Sequence, residues 1–360
     1  MKICFLGDVR SIHVQKFIKY FSEKHETHLI SFDYIGDSRV KPGLDFFENT
    51  NTHVYLLKKS QLPLTPFIAK YLVNTIKPDL VQAHFITNYG FLGAFAGVHP
   101  LVVSAMGDDV LIHPFQNKVY HNLVIYALKS ADFITCDGIN STFQMRDFGI
   151  PKDKIALIYP GIDMKLFHPS KRVESDDQIV FYPRGFDKIY DTDTLLSAMR
   201  IIHEKRPDIK FVLLGIGTEF NNFRDGVLQT DLWKSVTYLG HIPNNELPEY
   251  LASADVSITT ALSDGGIPVS TIEALACGVP VVSTDAGDAK FWVRDGESGY
   301  VVEKKNPEMI ADRVLDILSD KEKRIRFGKR ARIIVEKSQD YTLEMKRVEE
   351  LYYKLINRSL

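Results

Sequence analysis

The sequence predicts an α/β protein built from two doubly wound parallel-sheet domains. Three observations carry this. At 360 residues the chain is too long for one ordinary core. Short continuous apolar runs, separated by stretches of helical period, read as parallel strands covered on both faces. That alternation stops at an aperiodic stretch and then starts again.

In the first half, strands are expected at residues 3–6, 28–32, 54–57, 80–83, 101–105, 133–136 and 156–159, with helices such as 14–22 and 66–76 between them. The stretch 160–177 holds prolines, a glycine and charge but no period, which marks the join. Within it, 166–177 is taken as the linker, so the domains are expected at 1–165 and 178–340. A second strand series follows at 179–182, 211–214, 236–239, 256–260, 279–283 and 300–302. Residues 341–360 supply an amphipathic helix with Met345, Val348, Leu351 and Leu355 on one stripe.

Composition narrows the class. A net charge of −2 gives no global reason to expect nucleic acid as a partner. Cys4, Cys136 and Cys277 sit in apolar contexts and cannot all pair, so they read as buried thiols of a reducing cytosol. The first residues hold too short an apolar run for a signal peptide. The interval between Asp79 and Asp108 lacks charge but is broken by His84, Asn88, His99 and Pro100, so it is no membrane span. A cytoplasmic protein is expected. One basic run, 321–332, sets seven Lys or Arg against one Glu. It reads as a solvated helix face, or as a peripheral contact with anionic membrane.

The most informative block is 263–284, a strand end, a glycine loop, a short helix and a further buried strand. Gly265 and Gly266 allow a tight turn that brings bare N–H groups close to a ligand. Ile267 and Pro268 lead into the helix, with proline tolerated in a first turn. A helix N-terminus behind glycines suits an anion. Glu273 follows within small and apolar residues, and a carboxylate there accepts two hydrogen bonds from a vicinal diol such as a ribose presents. Diphosphate plus ribose is half of a nucleotide-sugar.

This block resembles the signature of the retaining, nucleotide-sugar-dependent glycosyltransferases of family 4, among the group 1 glycosyl transferases. The match runs through Glu273, Ala274, Ala276, Cys277, Gly278, Pro280, Val281 and Val282, then Asp285-Ala-Gly-Asp and Asp295-Gly-Glu-Ser-Gly-Tyr-Val-Val. The family's first acidic position counts back to Gly265. Either the loop is one residue longer, with Asp264 in that part, or the role is lost. The resemblance implies two facing Rossmann-like domains (the GT-B fold) and a terminal helix that crosses back onto the first. It also implies transfer of a sugar from a UDP- or GDP-sugar to a glycan or lipid-linked acceptor. Neither cofactor nor metal is expected. Other uses of such a fold are a nucleotide-sugar epimerase and a non-catalytic nucleotide-sugar-binding protein.

The remaining candidates sit at strand ends, where ligands collect in open α/β sheets. Arg184 closes the first strand of the second domain, and its planar guanidinium suits a diphosphate. The resemblance places a lysine shortly after it; Lys188 lies four residues on, while the family slot falls nearer Tyr190. Arg184, Glu273 and Lys188 are therefore the candidate catalytic set. Gly215-Ile-Gly217 is either a donor contact or a tight turn, and its spacing argues against a dinucleotide. Gly240 and His241 match a loop that in the family holds the base by backbone groups. In the first domain, Gly7 closes the first strand on the acceptor side. Met106-Gly-Asp108-Asp109 stands where relatives show His-Gly-Ser-Asp, its acids facing the ligand or capping a helix. Asp191-Thr-Asp193 reads as helix capping, not as a metal site. His13, His84 and His113 show no ligand spacing and read as structural.

Overall fold

The computed structural model describes residues 1–32, 44–58, 64–159, 161–169, 177–264, 266, 269–338 and 340–359. The chain divides into two compact units: Met1–Pro160 with Thr342–Leu360, and Gly161–Tyr341.

The first unit is a seven-stranded, all-parallel sheet in the order β3-β2-β1-β4-β5-β6-β7. Its strands are β1 (Lys2–Leu6), β2 (Glu26–Phe32), β3 (Thr52–Leu57), β4 (Leu80–His84), β5 (Leu101–Ala105), β6 (Phe133–Cys136) and β7 (Ile155–Leu157). The inner strands are buried along nearly their whole length, as apolar runs covered on two faces must be. The core joins Leu6, Ile30, Val81, Val103 and Ile134 to Val73, Val124 and Leu128 of the covering helices.

The helix Tyr341–Ser359 groups with this unit from Thr342 onward. It buries Met345, Val348, Tyr352 and Leu355. Its Tyr352 hydroxyl donates to Gln82 Oε1 of β4 at 2.7 Å, and Glu349 accepts from Tyr20 at 2.9 Å and pairs with His25 at 2.8 Å.

The second unit holds a six-stranded parallel sheet in the order β10-β9-β8-β11-β12-β13. These are β8 (Ile179–Tyr182), β9 (Lys210–Leu214), β10 (Val236–Gly240), β11 (Val256–Thr259), β12 (Val281–Thr284) and β13 (Gly299–Val302). Its core packs Val180, Tyr182, Phe211, Leu213 and Ile258 against Leu195, Met199, Val314 and Phe327.

The first boundary falls earlier than the sequence suggests. Residues 161–165 were expected in the first domain but group with the second unit. Hydrogen bonding explains it: Tyr341 N–H donates to Ile162 O at 3.0 Å, and Arg332 donates to the carbonyls of Met164 and Phe167. Cys4, Cys136 and Cys277 are buried and form no disulfide with one another.

Candidate active site

In the second unit the strand order reverses between β8 and β11, which lie side by side. Loops leaving these strands diverge, and the crevice at such a reversal is where open α/β sheets take their ligands. Arg184 follows β8 and Asp264 follows β11. Arg184 Nη2 donates to Asp264 Oδ2 at 2.9 Å, and the guanidinium lies 4.4 Å from the centroid of the Tyr190 ring. Both charged side chains are largely shielded, at 13% and 22% exposure. The Nε of Arg184 is buried without a hydrogen-bond partner among the described residues. The cation is therefore held by a carboxylate and an aromatic face while keeping a donor to give. A buried donor left unmade is costly, so an anion reaching Nε gains from it.

The neighbouring loops lock this arrangement. A Cβ at Gly217 would stand 2.3 Å from the Phe186 carbonyl, so only glycine lets the loop after β9 lie on the loop after β8. Phe186 N–H donates to Ile216 O at 3.1 Å, Glu219 N–H to Phe186 O at 2.7 Å, and Gly215 N–H to Gly240 O at 2.8 Å. On the other side Leu262 N–H donates to Ile189 O at 2.8 Å. Gly266 O accepts from Asp288 N–H at 3.1 Å, and Gly287, at φ +55°, passes so close that a Cβ would stand 1.9 Å from that oxygen.

Glu273 lies on the helix Val269–Ala276 and is 5% exposed. Its Oε1 accepts from Asn244 Nδ2 at 3.1 Å. Asn244 is on the exposed loop after β10, so a surface amide reaches the buried acid and fixes one of its oxygens.

The other expected residues divide. Lys188 is exposed at the start of the turn Lys188–Tyr190 and makes no side-chain hydrogen bond or ion pair among the described residues. Tyr190, at the slot where the family resemblance expects lysine, carries the ring beneath Arg184. Gly240, at φ +67°, and the exposed His241 end β10. Gly265, Ile267 and Pro268 lie outside the described residues. Gly217 has a packing reason for being glycine, the close passage over Phe186. Gly7 does too: a Cβ there would meet Val14 at 2.7 Å, so it seats the helix Ile12–Phe21 against β1.

In the first unit the acidic pair is split. Asp108 is exposed in the first turn of Asp108–Leu111, whereas Asp109 is fully buried. Asp109 accepts from Ile86 N–H at 2.8 Å and Met106 N–H at 2.9 Å, tying the end of β4 to the end of β5. Burial pushes its carboxyl up to about 7, opposed by those two backbone donors. Asp191 sits at the start of the helix Thr192–Lys205, but its carboxylate accepts from the Thr194 hydroxyl at 2.7 Å rather than from a backbone N–H.

Among the described residues no three His, Cys, Asp or Glu side chains are grouped to hold a metal ion, and no helix is long and apolar enough to cross a membrane. Of the basic run on the helix Lys321–Ser338, four members have internal partners: Lys323 with Asp316, Arg324 with buried Asp255, Arg330 with Glu297 and Arg332 with Glu336. The charge available to an anionic surface shrinks to Lys321, Arg326 and Lys329.

Residues 163–333 match the family model for glycosyl transferases group 1, and residues 2–138 match that for glycosyl transferase 4-like. The chain is 27% identical over 220 residues to spore coat protein SA of Bacillus subtilis, covering 54% of this chain and 57% of that relative. The match thus spans little more than half of that protein's length. It is 22% identical over 349 residues to N-acetyl-alpha-D-glucosaminyl L-malate synthase of Bacillus anthracis, covering 92% and 90%. Among solved structures, Anabaena HepE in complex with UDP and glucose matches with a TM-score of 0.83 at 18% identity, over 99% of this chain and 100% of that one. At that identity the likeness establishes the fold. With both units matched by models of one enzyme class, and a shielded cation at the sheet reversal of the second, the chain belongs to the group 1 glycosyltransferases.

Proposed function

We propose that this chain is a retaining, family 4 transferase that moves a sugar from a UDP- or GDP-sugar to a glycan or lipid-linked acceptor without a metal ion. The observation that carries the reading is the Arg184–Asp264 pair at the reversal of the second sheet, with its buried unpartnered Nε. As the glycosidic bond breaks, negative charge grows on the departing diphosphate. A guanidinium already oriented by Asp264 and Tyr190 meets that charge with little reorganisation, which lowers the barrier rather than merely tightening the ground state. Lys188, exposed and nearby in sequence, adds a second positive charge. Glu273 takes the ribose diol, with Asn244 holding one of its oxygens. The backbone around Gly217, Gly240, His241, Asp264 and Gly266 frames the donor. The acceptor hydroxyl attacks from the face the leaving group departs, and the leaving phosphate takes its proton.

UDP in the HepE complex and the sugar chemistry in the malate synthase's name favour a nucleotide-sugar donor. The test is incubation with sugar-labelled UDP-glucose and GDP-mannose, each alone and with glycan and lipid acceptors, in excess chelator. Transfer with the donor's anomeric configuration kept, read from the anomeric proton coupling, supports the reading. An inverted product, or an epimerised donor with no transfer, contradicts it.

A further inference from the structure

The helix Thr65–Ile76 of the first unit is apolar on two opposite faces. On one, Ala69, Val73 and Ile76 enter the core of the unit. On the other, Leu64, Phe67 and Tyr71 form a single stripe and stand 59%, 61% and 68% exposed. A helix on a domain surface ordinarily keeps polar residues there. The neighbouring helices extend the stripe. The helix Phe91–Ala96 packs against both Thr65–Ile76 and Lys118–Ser130. Its Phe95 meets the edge of Phe67 with ring centroids 5.2 Å apart, and its Phe91 stands 6.0 Å from the exposed Tyr126. An aromatic ridge thus crosses three helices. Contiguous exposed apolar surface of this kind marks a docking site.

Charge on these helices has one sign. Together they carry Lys70, Lys118 and Lys129 and not one Asp or Glu. The whole chain sets 46 acids against 44 Lys and Arg, so this is a local excess and not the composition of the protein. All three lysines are exposed, and among the described residues none has an ion-pair partner. The Lys70 ammonium stands 5.7 Å from the centroid of the Phe95 ring, beside the ridge. Aromatic rings with lysines among them suit the boundary of a bilayer. The rings enter the headgroup region, while each lysine stem lies along apolar surface and keeps its charge in water. A second copy of the chain fits worse. A two-fold contact would set this face against itself, lysine against lysine, with no carboxylate to answer.

We propose that this face docks the protein on an anionic lipid bilayer, with Phe67 and Tyr71 entering the interface and Lys70, Lys118 and Lys129 meeting the lipid phosphates. The contact lies on the first unit. It does not lie on the basic helix Lys321–Ser338, where four of the cations already face carboxylates. Each lysine near an anionic surface strengthens binding about fivefold, and raised salt weakens that share. Docking is a property of this surface alone and does not rest on the transferase reading.

The experiment floats the full-length protein with vesicles of phosphatidylcholine alone, and of phosphatidylcholine and phosphatidylglycerol in equal parts, without donor or acceptor. The expected result is binding to the mixed vesicles that weakens with salt and is about tenfold or more weaker on the neutral ones. Phe67→Ser with Tyr71→Ser should cut binding about tenfold or more. Lys70→Gln with Lys129→Gln should cut it about tenfold through charge alone. Thermal melts of both chains should match wild type, since the changed side chains lie outside the core. In a Phe67→Trp chain the added indole should shift its emission to the blue on mixed vesicles, a change that the parent chain, with Trp233 and Trp292, does not show. No binding to mixed vesicles, equal binding to both kinds, or wild-type binding by the serine chain overturns the proposal. Loss of binding only in Lys321→Gln with Arg326→Gln and Lys329→Gln would overturn it by moving the contact to the second unit. A dimer dispersed by Phe67→Ser in sedimentation velocity would overturn it by giving the face to a second copy.

Discussion

Arg184 and Asp264 are joined across the strand reversal of the second sheet, Nη2 to Oδ2 at 2.9 Å, although 80 residues separate them in sequence. The carboxylate orients the guanidinium from one side while Tyr190 supports its face. Asp264→Asn keeps an acceptor oxygen but removes the charge that strengthens the bond. Turnover should fall by about tenfold with the fold retained, equivalent to about 1.4 kcal/mol in the barrier. Steady-state rates and a thermal melt check this; unchanged turnover would mean that Arg184 needs no anchor.

Glu273→Gln should weaken donor binding and leave the fold intact. A carboxylate accepts from both ribose hydroxyls while an amide has one acceptor atom. Loss of one charge-assisted bond costs about 1.5–3 kcal/mol. Titration calorimetry with the accepted nucleotide-sugar reads this directly, and equal affinity would remove the ribose assignment. Asn244→Ala should produce a smaller loss of the same kind, about 1 kcal/mol, since Glu273 loses one of its hydrogen bonds.

Transfer should survive chelation. The proposed charge stabilisation comes from a guanidinium, Lys188 and backbone groups, with no cation bridging the phosphates. Assays in excess EDTA are expected to match untreated enzyme. Complete loss of transfer, restored by one divalent ion, would falsify the metal-free account.

Acid sensitivity has a traceable source in the first unit. Burial drives His84 down to about 3 and His13 down to about 4, with Lys16 adding to the latter. Both are neutral when folded and become positive when unfolded below about 6.5. The unfolded chain then binds more protons, so this stabilising contribution is full above about pH 6.5 and is lost as pH falls toward 4 and 3. Asp109 acts in the opposite sense: raised to about 7, it takes its proton first in the folded state and gains between about pH 7 and 4. Comparing wild type with His84→Phe isolates one term. Between about pH 7.5 and pH 5 the variant should lose less stability by on the order of 2 kcal/mol in denaturant melts. Equal acid losses would mean that the imidazole titrates normally.

The architecture was legible because each strand is a short apolar run between breakers. The thirteen strands among the described residues lie where expected, with shifts at their ends. Expected from residue 279, β12 begins at Val281, because Pro280 has no N–H to give the ladder. Arg184 was legible as a cation at a strand end. Its partner was legible only as a loop acid, and the bond between them needed the sheet order. Asn244 could not be read at all: no spacing rule joins a surface amide to an acid on another element 29 residues away. Nor could the burial of His84, since isolated histidines carry no pattern and it is packing against Phe5 and Phe17 that encloses the ring. Asp108 and Asp109 were legible only as a pair of acids at a strand end, facing a ligand or capping a helix, and it takes the structure to show that Asp109 turns inward while Asp108 stays exposed.

In the proposed mechanism Arg184 meets charge developing on the leaving diphosphate. The most direct test of this is the turnover number and the donor dissociation constant of Arg184→Ala, measured together. Removal of one such preorganised donor costs about a hundredfold or more in turnover. That loss is the expected result for Arg184→Ala, with the donor dissociation constant changing much less, because the partner charge grows as the bond breaks. Turnover and affinity both equal to wild type would place the diphosphate elsewhere and contradict the account.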